Sequence, residues 1–210
     1  SMVIPGGVAY NPKEHWVKCS ALSSTSTAIV GKYLKNADGL LAKIKHVVAA
    51  SGSDPITIYV SYQNSNGATN TDKVFDDADT LTEAVYDTTA NAYITDTSSP
   101  VTGTVFGTAG GAVTGTGQGV TANVEAGVYF IRGHFVQVKA AYLILSKYVA
   151  TLASIDYDVG LSITEELITP ASDATLNDNA AGTTNYAAPG AHRYSICLLY
   201  TSDAADEVVS

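Results

Sequence analysis

From Ile155 the chain alternates. Ile155, Tyr157, Val159, Leu161 and Ile163 are apolar, and Asp156, Asp158, Gly160, Ser162 and Thr164 fall between them. A period of two puts one set on an oily face and the other in water, so residues 155–164 predict a half-buried β-strand. Glu165 to Thr169 follow, and Pro170, with no N–H to give a ladder, is expected to end it. A run rich in Asp, Asn, Gly and Thr then fills 171–191, and alternation returns over 192–196. The plan is strand, long polar loop, strand. A loop of that length without secondary structure of its own is usually functional or disordered.

The same period recurs upstream. Leu40 to Val48 and Ile56 to Tyr62 alternate around Ser51-Gly-Ser-Asp54-Pro55, which is turn chemistry, so 39–62 predicts a β-hairpin. An amphipathic helix over 34–48 competes, but Asn36, Asp38 and Gly39 interrupt it. Residues 127–138 predict two strands meeting at Arg132-Gly133, and 142–145 a third. With 155–164 and 192–196 these would form a small antiparallel meander. Val3 to Ser20 reads as an irregular arm with a short strand at 15–19, anchored by Trp16. Gln63 to Asn70 reads as a polar loop, and Leu81 to Tyr86 as a short helical turn. Pro100 to Gly119 is low-complexity Gly, Thr, Ala and Val, and reads as a flexible excursion or loose strands on a polar surface. A phosphate-cradling loop would need a strand before it, a helix after it and a Gly-Lys-Ser/Thr signature, and the stretch lacks them.

The fold class that follows is mainly β, with short antiparallel strands in a sandwich or meander, long polar loops and little helix. The expected division is an N-terminal β region with its hairpin over 1–100, a Gly/Thr-rich loop over 101–122, a β domain over 123–196, and a tail over 197–210.

Composition narrows the function. Hydrophobic residues make up 46% of the 210 and charged residues only 15%, so the surface leans on Ser, Thr, Asn and Gly. That suits an extracellular or virion-surface β protein. The net charge of −9 would repel a phosphate backbone, so nucleic acid is not expected as a partner. No apolar run is long enough for a membrane-spanning helix, and membranes are not expected as partners. Ser1 before Met2 reads as a residue left ahead of a start codon, without a signal peptide. Cys19 and Cys197 make neither a disulfide framework nor a zinc site, and no cofactor is expected.

Candidate chemistry is thin. Asp76, Asp77 and Asp79 could hold calcium, but the spacing lacks the Gly and the terminal Glu of an EF-hand and favours a solvated face. Glu165 and Glu166 are adjacent, so on a strand they point opposite ways and cannot flank one glycosidic bond. One of them could pair with Asp156, Asp158 or Asp173, although a charged strand end is the simpler reading. His134 and His192 could act as acid or base. Hydrogen bonds to loop carbonyls are the plainer role for both, and close metal-ligand spacing is absent. Arg132 and Arg193 are expected in ion pairs with the acidic strand edge. Gly-x-Ser-x-Gly is absent, and Ser51-Gly-Ser53 is only a turn. The loop 171–191 is the best interaction candidate, through Asp173, Asn177, Asp178, Asn179, Asn185, Tyr186, His192 and Arg193. Tyr129, Tyr186 and Tyr194 could instead stack on sugar rings, though Tyr also fills sheet faces.

Several stretches, in order, carry a resemblance. These are Gly127-Val-Tyr-Phe-Ile-Arg-Gly133-His-Phe-Val, Leu145-Ser-Lys-Tyr148, Val159-Gly-Leu-Ser-Ile-Thr-Glu-Glu-Leu-Ile-Thr-Pro170, Leu176-Asn-Asp-Asn179-Ala-Ala-Gly182 and Asn185-Tyr-Ala-Ala-Pro-Gly-Ala-His192-Arg193. Residues 123–196 resemble a domain of unknown function found in large structural proteins of tailed phages, notably T4-like phages of marine and cyanobacterial hosts, and 30–80 resemble the preceding region more weakly. The resemblance implies a tail, baseplate or fibre component, located in the virion, with other tail or baseplate subunits as partners and a homotrimer as the natural oligomer. It carries no catalytic residues. One departure stands out: Cys197-Leu-Leu-Tyr-Thr-Ser-Asp-Ala-Ala-Asp-Glu207 looks like a translated transposase-type sequencing adapter. On that reading 197–210 is foreign and the natural chain continues differently.

Three functions are therefore expected in descending order. The first is a virion structural module acting by protein–protein assembly. The second is a glycan-binding module of a fibre. The third is a hydrolase using Glu165 or Asp173; the chain is not expected to be an enzyme.

Overall fold

The computed structural model describes residues 2–4, 7–25, 27–64, 74–110, 112, 114–150, 157–182 and 184–204. The chain is mainly β and its strand pairs are antiparallel. In chain order the strands are β1 (Met2–Ile4), β2 (Val8–Leu22), β3 (Tyr33–Lys35), β4 (Leu41–Val48), β5 (Ile56–Tyr62), β6 (Thr80–Asp87) and β7 (Ala92–Thr95), then β8 (Thr102–Val105), β9 (Thr116–Val124), β10 (Gly127–Ile131), β11 (His134–Val138), β12 (Ala141–Ser146), β13 (Tyr157–Ile168) and β14 (Arg193–Ala204). Helical structure among the described residues is limited to the 3₁₀ turns Thr27–Ile29 and Ala174–Leu176.

The chain divides into two compact units. One is Tyr10–Ala122 with Ile144–Ala153; the other is Ser1–Ala9, Asn123–Leu143 and Ser154–Ser210. These interleaved segments differ from the contiguous blocks expected over 1–100, 101–122, 123–196 and 197–210.

The larger unit is built on a sheet of order β12-β9-β2-β5-β4-β3-β6-β7, with β8 pairing β2 and β6. The expected hairpin is present: β4 and β5 align Ile44 with Val60 and Val47 with Ile58, and Ser51 and Asp54 close the turn with two reciprocal backbone bonds. The pairing puts the apolar side chains on one face, where Val17, Leu34, Ile44, Ile58, Phe75 and Leu81 form a dry core. The helix over 34–48 is not formed.

Four expectations for this unit are corrected. The N-terminal arm is largely the 15-residue strand β2, which pairs β5 over His15–Cys19 and β8 over Cys19–Leu22. The helical turn at 81–86 is strand β6, held because buried Glu83 accepts the Val101 N–H and pairs with Lys32 at 2.7 Å. The Gly/Thr-rich stretch 101–122 forms strands, the second of its two expected readings, but packed rather than loose on a polar surface: it supplies β8 and most of β9, with Val101, Val105 and Val120 buried. Glycine here serves close packing: a Cβ on Gly117 would lie 2.3 Å from the Trp16 ring, and one on Gly119 would lie 2.6 Å from the Ser146 and Lys147 carbonyls. Finally, Asp77 is buried rather than solvated, and accepts the Thr114 and Gly115 N–H groups and the Thr114 hydroxyl. Most of the polar loop expected at 63–70 lies outside the described residues.

The second unit holds the sheet β1-β10-β11 and the ribbon β13-β14. The β10–β11 hairpin turns at Arg132 (φ 48°) and Gly133 (φ 88°), two left-handed residues that suit a tight two-residue turn. In the ribbon twelve residues of β13 pair with twelve of β14. Pro170 follows the end of β13 as expected. The pairing of β13 runs past the alternating stretch through Ile168, short of Pro170, and that of β14 runs on through Cys197–Ala204. The single meander expected over 123–196 is not formed: the hairpin and the ribbon belong to separate sheets, and β12 joins the large one.

Candidate interaction site

The β10–β11 turn and the ribbon bring together residues 30 to 60 positions apart in sequence. On β13, Ile163, Glu165 and Leu167 share one face because they are two residues apart. Register places Ile196 opposite Glu165 and Tyr194 opposite Leu167, so these two join the same face. Arg132, held in its left-handed turn, donates from Nη1 to Glu165 Oε2 at 2.9 Å. His134 packs its ring on Tyr194 with centroids 5.4 Å apart. A cavity of about 380 Å³ opens beside them, lined by His134, Phe135, Val136, Gln137, Tyr194 and Ile196.

Electrostatics tie the cluster. Hydrogen bonding to the Glu165 carboxylate raises the Tyr194 phenol above its ordinary value, with Arg132 opposing. Glu165 pairs through Oε2 with Arg132, its Oε1 is buried without a hydrogen-bond partner among the described residues, and Glu166 lies exposed on the opposite face. No group of three His, Cys, Asp or Glu side chains suited to a metal ion occurs among the described residues. Asp156 and the side chain of Asp158 lie outside the described residues. The pairing of Arg132 with the strand carboxylate was expected.

The apolar members of this face stand in water. Ile163 is 47% exposed, Leu167 56% and Tyr194 45%. On the hairpin, Phe130 and Phe135 are cross-strand partners whose rings pack at 5.1 Å, and Phe135 is 70% exposed. The surface is therefore hydrophobic and aromatic, with one charged pair set within it.

The loop 171–191 is closed on itself. Asp173 caps the 3₁₀ turn, taking the Thr175 N–H and hydroxyl, and pairs with Arg193 at 2.7 Å. The Thr175 hydroxyl and N–H, aided by the Arg193 charge, hold the Asp173 carboxyl below its ordinary value. Asn177 donates its N–H to Ala174 and bridges Pro189. Asp178 takes the Ala180 N–H on Oδ1, and its backbone exchanges bonds with Ala187 and Ala188. The Asn179 and Asn185 carbonyls accept from Ala181 and Ala188. The structure thus joins only Asp173 and Arg193 among the eight interaction candidates as an ion pair. Tyr186, 63% exposed, and His192, also exposed, stay on the loop surface. Ring contacts among the described residues do not join Tyr129, Tyr186 and Tyr194 into one platform.

Sequence reasoning named Arg132, His134, Glu165 and Tyr194 separately but not Ile163 and Leu167, whose alternation reads as buried. No known family, curated protein or solved structure matches the chain.

Proposed function

We propose that the chain is a structural module of a tailed-phage virion, a tail, baseplate or fibre component, that acts by protein–protein assembly. The observation that carries this reading is the exposed apolar face of the ribbon. A two-stranded ribbon is marginal in water without a further covering layer. Ile163, Leu167 and Tyr194 form a row that gains from burial against another chain. The Arg132–Glu165 pair within the row supplies register, as a polar contact surrounded by apolar ones does in a specific interface. The partners are further copies of this chain, as a trimer, and neighbouring tail or baseplate subunits. In this reading the module runs no reaction, takes no cofactor, and meets neither nucleic acid nor membrane.

Sedimentation of the purified chain tests it. A concentration-dependent oligomer, shifted to monomer by Ile163→Asp with Leu167→Asp while the β circular-dichroism signal persists, is expected. A monomer at every concentration, or an oligomer indifferent to both substitutions, would overturn the reading. Glycan binding by a fibre module is the second reading, favoured by the aromatic cavity beside His134 and Tyr194.

A further inference from the structure

The ribbon of β13 and β14 has open backbone edges as well as an apolar face. It is a two-stranded sheet, so among the described residues each strand pairs on one side only. In an antiparallel pair every second residue bonds the partner strand, and the residues between turn their N–H and C=O groups outward. Over the twelve residues of β13 these outward groups run for about 40 Å.

The β13 edge lacks the devices that keep an exposed strand from pairing. Short length is one device; bulges, Lys and Pro are others. The other sheets end on β1, β7, β11 and β12, which have three, four, five and six residues. β13 keeps an unbroken register with β14 and contains neither Lys nor Pro. β14 begins at Arg193 and is met there by β11, His134 packing on Tyr194. β13 therefore presents the long, unguarded edge.

Its side chains say what would pair with it. On one face Ile163 and Leu167 are apolar and exposed. On the other, Ser162, Thr164 and Glu166 are exposed. Glu166 lies opposite Ser195 and has no ion-pair partner among the described residues, whereas Glu165 has Arg132. A second copy would bring another acidic β13 to this edge, in a chain of charge −9. A strand with apolar residues on one face and Lys and Thr on the other would meet each of these side chains with its complement.

We propose that β13 takes up an extended, lysine-bearing segment of a different subunit as a third strand. The inference rests on the reading of the ribbon as an assembly surface, and it names the partner and the mode. Bonds to the outward N–H and C=O groups supply affinity, and the alternation of side chains supplies orientation. Apolar residues of the incoming strand widen the row of Ile163 and Leu167, and a Lys meets Glu166. Three strands with an apolar face are stable where a ribbon of two is marginal.

Calorimetry and amide hydrogen exchange on the full chain test the proposal, with acetyl-Lys-Val-Thr-Val-Lys-Val-Thr-Val-Lys-amide as the probe. Two further versions carry backbone N-methyl groups, one on every Val and the other on every Lys and Thr. Residues of one face send their N–H groups to the same edge, so only one version loses its bonds to β13. Saturable binding of the probe is expected, lost in one methylated version and kept in the other, with slowed exchange at alternate β13 amides. Glu166→Lys, at an exposed position, should weaken binding about threefold to tenfold, since an attraction becomes a repulsion. The proposal fails if the probe gives no heat and no protection at millimolar concentration, or if both methylated versions bind as the probe does. It fails equally if a peptide of the same composition, with its Lys residues grouped at one end, binds as tightly. Protection of the same β13 amides in the concentrated chain alone would make the occupant a second copy and overturn it too. A chain that self-associates through Ile163 and Leu167 but ignores the probe keeps the assembly reading and loses this one. A chain that stays monomeric and binds the probe does the reverse.

Discussion

Asp77 shows how one carboxylate can order a stretch that looks featureless. Burial alone would push its pKa up. The Gly115 and Thr114 N–H bonds and the Thr114 hydroxyl outweigh that and hold it below the ordinary carboxylate range. An amide cannot accept from both N–H groups as a carboxylate does, so Asp77→Asn should cost about 2 kcal/mol at pH 7, the scale of charged hydrogen bonds lost from a buried site. A carboxyl whose folded pKa is depressed stabilises fully above the unfolded value near ~3.9 and loses that contribution as pH falls through the folded value. Urea titrations of both proteins should therefore differ by a constant amount down to about pH 4 and converge below it. A gap that stays constant to pH 2 would mean the carboxylate charge is not what holds the loop.

At the level of elements, β9 depends on a void reserved for the Trp16 ring. A methyl on Gly117 would overlap that ring, so Gly117→Ala should cost about 1–3 kcal/mol, as overpacking does. Trp16 is the single Trp, so its emission should also shift to the red as the ring is displaced toward water. An unchanged melting midpoint and spectrum would show that the strand can move aside. The same strand explains what the sequence leaves hidden. Alternation identifies β4, β5, β10, β11, β12 and β13 because each has apolar residues on one face and local turn chemistry at its ends. It misses β6, where Glu83 sits at a buried position made tolerable by Lys32, 51 residues away in sequence. It misses β8 and β9, whose glycines look like loop residues until the ring and carbonyls they accommodate are in place. Pro12 and the flanking glycines disguise β2. For the candidate site, the ion pairing of Arg132 was legible from charge, whereas the exposure of Ile163 and Leu167 was not: periodicity reports that a face is oily, never whether anything covers it.

For the whole molecule, two forces oppose each other across the proposed interface. The chain carries −9 at pH 7, and copies repel one another, whereas the ribbon face gains by leaving water. Repulsion acts over the Debye length, about 8 Å in physiological salt and about 3 Å at 1 M. Apolar burial is not weakened by salt, and sulfate strengthens it. Self-association should therefore tighten as salt rises, and again as pH falls from 7 toward the isoelectric point near 4.7, where net charge vanishes. If ion pairs across the interface were the driving contacts, the salt dependence would have the opposite sign, because screening would weaken them. Sedimentation at 0.05 and 1 M sodium chloride, in roughly that range of screening, separates the two. Tighter association at high salt, lost in Ile163→Asp with Leu167→Asp, assigns assembly to the apolar face. Dissociation at high salt would move the driving contacts to charged groups and leave the ribbon without its assigned role.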